Sequence, residues 1–164
     1  MDGIERALAG PPKVPVAVAL GSNLGDRELT LTTAAAALGA LLHNVRVSTF
    51  HDTAPVGVGA QPRFLNGALI GTTDLGPGAL LAALLEIEGR HGRRRPHPGA
   101  PRTLDLDLIL YGDIVVEGPG ITVPHPRFRE RAFVLAPLAE IAPDWRDPAT
   151  GRTVLELLLA LTAR

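Results

Sequence analysis

The sequence predicts an α+β fold, an antiparallel sheet with helices packed on its faces. Three observations lead there. Short segments alternate apolar and polar residues at a period of two, the signature of half-buried strands. Two Ala- and Leu-rich segments, 27–42 and 78–90, have helical character and sit between those strands. The 18 Gly and 15 Pro supply the turns that so many short elements need.

In chain order, residues 1–13 end in Gly10-Pro11-Pro12 and read as a loose leader, leaving 14–164 as a single domain. Residues 14–20 form the first strand, with Pro15 confined to its start or to an edge. Gly21-Ser22-Asn23-Leu24-Gly25-Asp26 is a turn, and Asp26 caps the helix over 27–42. A second strand is predicted over 45–53, then a loop of about nine residues over 54–62. A third strand covers 64–73 and pairs with the second. Pro77 opens the next helix, whose Leu80, Leu81, Leu84, Leu85 and Ile87 form an apolar stripe. Glu86 and Glu88 fall near its C-terminal end, where the helix dipole disfavours acids, so at least one needs a local reason to be there. Residues 91–101 are a basic, proline-rich loop.

The strand that follows carries the most information. From Thr103 to Leu108 polar and apolar residues alternate, so Leu104, Leu106, Leu108 and Leu110 share one face. Thr103, Asp105, Asp107 and Ile109 share the other, and the two carboxylates lie roughly 6–7 Å apart at Cα. An amphipathic strand turning its acids to water would look the same. Arg90, Arg93, Arg94, Arg95 and Arg102 upstream favour a metal–polyphosphate site instead. Two short strands around 114–117 and 121–123 follow, then His125 held between Pro124 and Pro126. A helical turn begins at Arg127, an apolar segment covers 132–138, and Thr153-Val154-Leu155-Glu156 is a capping box for a last helix that reads as structural. The order β-α-β-β-α-β is the ferredoxin-like arrangement, with helices mainly on one face.

Composition excludes several classes. No cysteine is present, which removes disulfides, thiolate catalysis and cysteine-bound zinc. A net charge of −1 and no basic stripe argue against nucleic acid as a partner. No apolar run spans a membrane, so a cytoplasmic protein is expected. Phe64 and Asn66 share a strand face, and a ring beside an amide suits a flat heterocycle, although a core Phe and a turn Asn fit as well.

At this point the sequence resembles the 6-hydroxymethyl-7,8-dihydropterin pyrophosphokinases of folate biosynthesis. The resemblance rests on Ala19-Leu20-Gly21-Ser22-Asn23-Leu24-Gly25, Gln61-Pro62-Arg63-Phe64-Leu65-Asn66, Ala100-Pro101-Arg102-Thr103-Leu104-Asp105-Leu106-Asp107-Leu108, Thr122-Val123-Pro124-His125 and Arg131-Ala132-Phe133. It implies transfer of a pyrophosphoryl group from ATP to the pterin hydroxymethyl oxygen, releasing AMP. By resemblance, Asp105 and Asp107 hold two magnesium ions, and Arg93, Arg95 and Arg102 complete the catalytic set. Glu88, Leu108, Thr122, His125 and Arg131, with the same three arginines, fall at ATP-side positions. Thr53, Ala54, Val56, Phe64, Asn66 and Phe133 fall at pterin positions, the two Phe rings sandwiching the pterin. Members often carry Arg-Trp-Gly-Pro-Arg where this chain has Pro98-Gly99-Ala100-Pro101-Arg102, so one loop arginine and a tryptophan are absent, and Arg94 or His97 are the candidates to substitute. The expected partners are the small molecules ATP and the pterin, with no membrane, and a monomer is expected. Two alternatives stay open: another Asp-x-Asp nucleotidyltransferase, and a non-catalytic ferredoxin-like ligand-binding domain.

Overall fold

The computed structural model describes residues 13–54, 63–91 and 104–163. Its centre is strand β1 (Val14–Ser22), flanked by β4 (Phe64–Thr73) and β5 (Asp105–Tyr111), both antiparallel to it. Strands β2 (His43–Val47) and β3 (His51–Thr53) pair with β4 on its far side, so the order is β2-β4-β1-β5 with β3 beside β4. That is the ferredoxin-like order. A separate hairpin, β6 (Val116–Gly118) with β7 (Ile121–Val123), follows the edge strand.

Helices cover both faces. On one, α1 (Arg27–Leu41) and α2 (Pro77–His91) press Leu31, Leu38, Leu80, Leu84 and Ile87 onto Val16, Val18, Leu20 and Leu69. On the other, α3 (Ala132–Ile141) and α4 (Val154–Thr162) bury Val134, Leu135, Leu138, Val154 and Leu157 against Ala17, Ala19, Ala68 and Ile70. The expectation of helices mainly on one face is therefore corrected to a helix–sheet–helix sandwich. Asp26 caps α1 by accepting from the Leu29 amide, and Thr153 with Glu156 closes the capping box of α4. Among the described residues no helix is long and apolar enough to cross a membrane.

Two strand predictions need correction. The strand predicted over 45–53 is broken between β2 and β3. The Ser48 hydroxyl accepts the Ala68 amide in place of a ladder carbonyl, and the Glu140 carboxylate on α3 takes the Thr49 amide and hydroxyl. Side chains have replaced the regular ladder there. In β5, Leu110 does not share the face of Leu104, Leu106 and Leu108. A β-bulge places Leu108 opposite Val18 and Leu110 opposite Ala17, leaving Ile109 as the extra residue. Past it the parity inverts: Ile109 and Leu110 both pack under α3 and α4, and Tyr111 returns to the α1–α2 side. The alternation holds where the carboxylates are.

Candidate active site

Register builds the floor of the site. Asn66, Gly21 and Asp105 lie side by side across β4, β1 and β5, and Ala68, Ala19 and Asp107 form the next row. Asn66 and Asp105 are thus two strand spacings apart, about 10 Å. Between them β1 offers only small residues. A Cβ at Gly21 would stand 3.3 Å from Asn66 Oδ1, so glycine keeps the floor flat and the amide in place.

Over this floor opens a cavity of about 680 Å³. Phe64 and Asn66 of β4, Thr53 and Ala54 at the end of β3, and Phe133 of α3 line one part of it; Asp105, Asp107 and Arg131 line another. Asn66 Nδ2 donates to Thr53 Oγ1 at 2.6 Å, which fixes the amide so that its oxygen faces Gly21. The Arg131 guanidinium lies 5.6 Å from the centre of the Phe133 ring, a cation–π contact. Arg127, Glu130 and Leu161 also line the cavity. Sequence reasoning missed these three. For Arg127 a signal existed, two residues after His125 in an arginine-rich turn; for Leu161, on the final helix read as structural, none did.

A second cavity, about 360 Å³, lies along the outer edge of β5. Leu108 and Asp107 form one side, and Gly118, Gly120, Thr122 and His125 on and after the β6–β7 hairpin form the other. Asp107 lines both cavities. The His125 amide donates to the Ile109 carbonyl at 3.0 Å, and its Nδ1 accepts the Arg127 amide at 3.2 Å. The proton of the neutral ring is therefore assigned to Nε2. Burial lowers the His125 pKa, Arg131 and Arg127 push it the same way, and Asp105 opposes them.

Glu88 is 1% exposed and accepts the Leu106 amide at 3.1 Å. It meets the backbone between the two aspartates, which gives the acid at the helix end its local reason. Glu86 by contrast is exposed, 3.9 Å from Arg90. The structure thus groups Thr53, Ala54, Phe64, Asn66, Phe133, Asp105, Asp107 and Arg131 in the larger cavity and Leu108, Thr122 and His125 in the smaller. Val56, Arg93, Arg95 and Arg102, with the 1–12 part of the leader and the loop over 92–101, lie outside the described residues.

Residues 17–143 match the model of the 7,8-dihydro-6-hydroxymethylpterin-pyrophosphokinase (HPPK) family. The chain belongs to that family. A 2-amino-4-hydroxy-6-hydroxymethyldihydropteridine pyrophosphokinase of Synechocystis is 45% identical over 143 residues, covering 86% of this chain and 73% of the relative. One of Pseudomonas aeruginosa is 45% identical over 147 residues, covering 88% and 90%. Among solved structures, the wild-type HPPK-DHPS of Plasmodium falciparum with pteroate superposes with a TM-score of 0.79 over 94% of this chain at 12% identity. That likeness is one of fold, and this chain spans 45% of that longer one. HPPK membership makes the chain an enzyme of folate biosynthesis that transfers pyrophosphate, with ATP as co-substrate.

Proposed function

We propose that this chain transfers the pyrophosphoryl group of ATP to the hydroxymethyl oxygen of 6-hydroxymethyl-7,8-dihydropterin across the Asp105–Asp107 segment of β5. The observation that carries this reading is that Asp107 lines both cavities, so one residue borders the donor and acceptor sites of this reading at once. The larger cavity takes the pterin: Phe64 and Phe133 supply aromatic faces and Asn66 an amide edge. The row from Asn66 to Asp105 lets one flat bicyclic ring reach from the amide to the carboxylates. The smaller cavity takes the nucleotide, with Thr122 and the Nε2–H of His125 as donors.

In the reaction a bond forms between the hydroxymethyl oxygen and the β-phosphorus. The bond from that phosphorus to the α–β bridging oxygen breaks, AMP leaves with the oxygen, and the hydroxyl proton passes to water. The chain's contribution is placement and charge, which dominate phosphoryl transfer. Arg131 supplies a cation inside the acceptor cavity, and Arg93, Arg95 and Arg102 are proposed triphosphate ligands from their sequence positions.

Among the described residues no cluster of three or more acidic or histidine groups is placed to hold a metal. Two carboxylates two residues apart nevertheless fit magnesium, which takes one or two protein carboxylates and fills its other positions with water and phosphate oxygens. Asp105 and Asp107 would hold it, as two ions in this reading. Bound there, magnesium supplies the positive charge that offsets the triphosphate.

The test is AMP formation from ATP, magnesium and the hydroxymethyl-dihydropterin. Folded protein giving no AMP above background overturns the reading. Asp105→Ala and Asp107→Ala are each expected to lower turnover by at least about a thousandfold, as loss of a preorganised charge does.

A further inference from the structure

The turn that joins His125 to α3 carries three arginines at alternate positions, and the structure commits them differently. Arg129 is bound to the buried carboxylate of Asp147. Arg131 lies over the Phe133 ring. Arg127 lines the larger cavity with Asp105 and Asp107, its side chain is exposed, and its guanidinium meets no hydrogen-bond or ion-pair partner among the described residues. Five N–H donors on a residue that lines a cavity, with no partner among the described residues, are a site for oxyanions.

The backbone beneath it is fixed. The Arg127 amide is held by His125 Nδ1 and its carbonyl by the Glu130 amide at 3.0 Å. The single turn of 3-10 helix that follows, Phe128–Glu130, is pinned by a fully buried Phe128 and by the Arg129–Asp147 pair. Glu130 also lines the cavity and opposes an anion, while Arg131 favours one. Position then selects the anion. Arg127 lines the acceptor cavity and is absent from the lining of the cavity that holds Thr122 and His125.

We propose that Arg127 binds the diphosphate on the acceptor side, holding it once it is attached to the pterin rather than while it is part of ATP. This rests on the pyrophosphokinase reading above. Arg127 is then a product-binding residue, and its strength sets how fast the pterin diphosphate leaves.

The experiment compares wild type with Arg127→Ala and Arg127→Lys in the full chain. Three quantities are measured: affinity for the pterin diphosphate, affinity for the hydroxymethyl-pterin, and KM for ATP. Arg127→Ala is expected to weaken the diphosphate about tenfold or more, the worth of one charge-assisted hydrogen bond, with the other two within about twofold. Arg127→Lys is expected to recover part of that loss. An unchanged diphosphate affinity, or an equal loss for all three ligands, overturns the proposal. A wild type that forms no AMP yet binds the diphosphate through Arg127 refutes the pyrophosphokinase reading and leaves the anion site standing. Thermal midpoints of both variants should match wild type, since the Arg127 side chain has no partner to lose among the described residues.

Discussion

Two walls of the larger cavity are held by the same chemistry in opposite surroundings. One wall is the turn bearing Arg127 and Arg131, anchored by Asp147. That carboxylate has no solvent exposure and accepts from the Arg129 guanidinium, the Ala149 amide at 3.0 Å and the Thr150 hydroxyl at 2.7 Å. The other wall, Thr53 and Phe64, is anchored by Asp52, which accepts from Arg27 at 3.1 Å and Arg63 at 2.9 Å. Arg27 also reaches the Arg63 carbonyl at 2.9 Å, closing the open end of the β3–β4 pair. The side chain of Asp52 is 48% exposed. Burial decides what each anchor does. Removing one partner of a buried pair strands a charge, whereas an exposed pair is screened by water and salt. The first wall is therefore fixed and the second adjustable.

Breaking the buried anchor should have the largest effect. Asp147→Ala is expected to cost about 3–5 kcal/mol of stability, because the Arg129 guanidinium loses its carboxylate; urea unfolding measures this, and a loss below about 1 kcal/mol would equate the two anchors. Acid gives a second contrast. Burial alone raises the Asp147 pKa, and the bonds from Arg129, Thr150 and Ala149 outweigh it, so the carboxyl titrates below its ordinary value. A lowered folded pKa means that the stability is present above the unfolded value, about 3.9, and is lost as pH falls through the folded one. Stability against pH should consequently be flatter below about pH 4 in Asp147→Asn than in wild type.

The exposed anchor should move binding more than stability. The Arg27 and Arg63 bonds hold the Asp52 carboxyl below its usual range. Asp52→Asn is expected to raise the pterin KM roughly two- to fivefold at low salt, the scale of an exposed ion pair, with kcat retained. In about 0.5 M salt wild type and variant should converge, since screening removes the pair in both. A KM difference that persists in salt would mean that the Thr53–Phe64 wall depends on more than charge.

Much of this site was legible because it lies on strands with a polar–apolar period. Alternation from Thr103 to Leu108 put Asp105 and Asp107 on one face, and parity put Phe64 with Asn66. The bulge escaped because Ile109, Leu110 and Tyr111 are all apolar or aromatic, and a period cannot be read where every residue is fit for burial. The break between β2 and β3 escaped for another reason. Its cause is Glu140, 91 residues away from Thr49, and no local signal reports a partner that distant. Leu161 was lost in the same way, since packing of α4 against α3 brings it to the cavity.

The bulge at Ile109 also separates two jobs that one strand would otherwise have to share. Val18 faces Leu108 and Ala17 faces Leu110, so the ladder to β1 passes over Ile109 without counting it. Its carbonyl is the one the His125 amide reaches. Shortening the chain by this one residue could leave the ladder to β1 in register on either side, but it would remove the acceptor that ties His125 to β5. The distance from Asp105 and Asp107 to His125 is thus set by a residue that the sheet itself does not need.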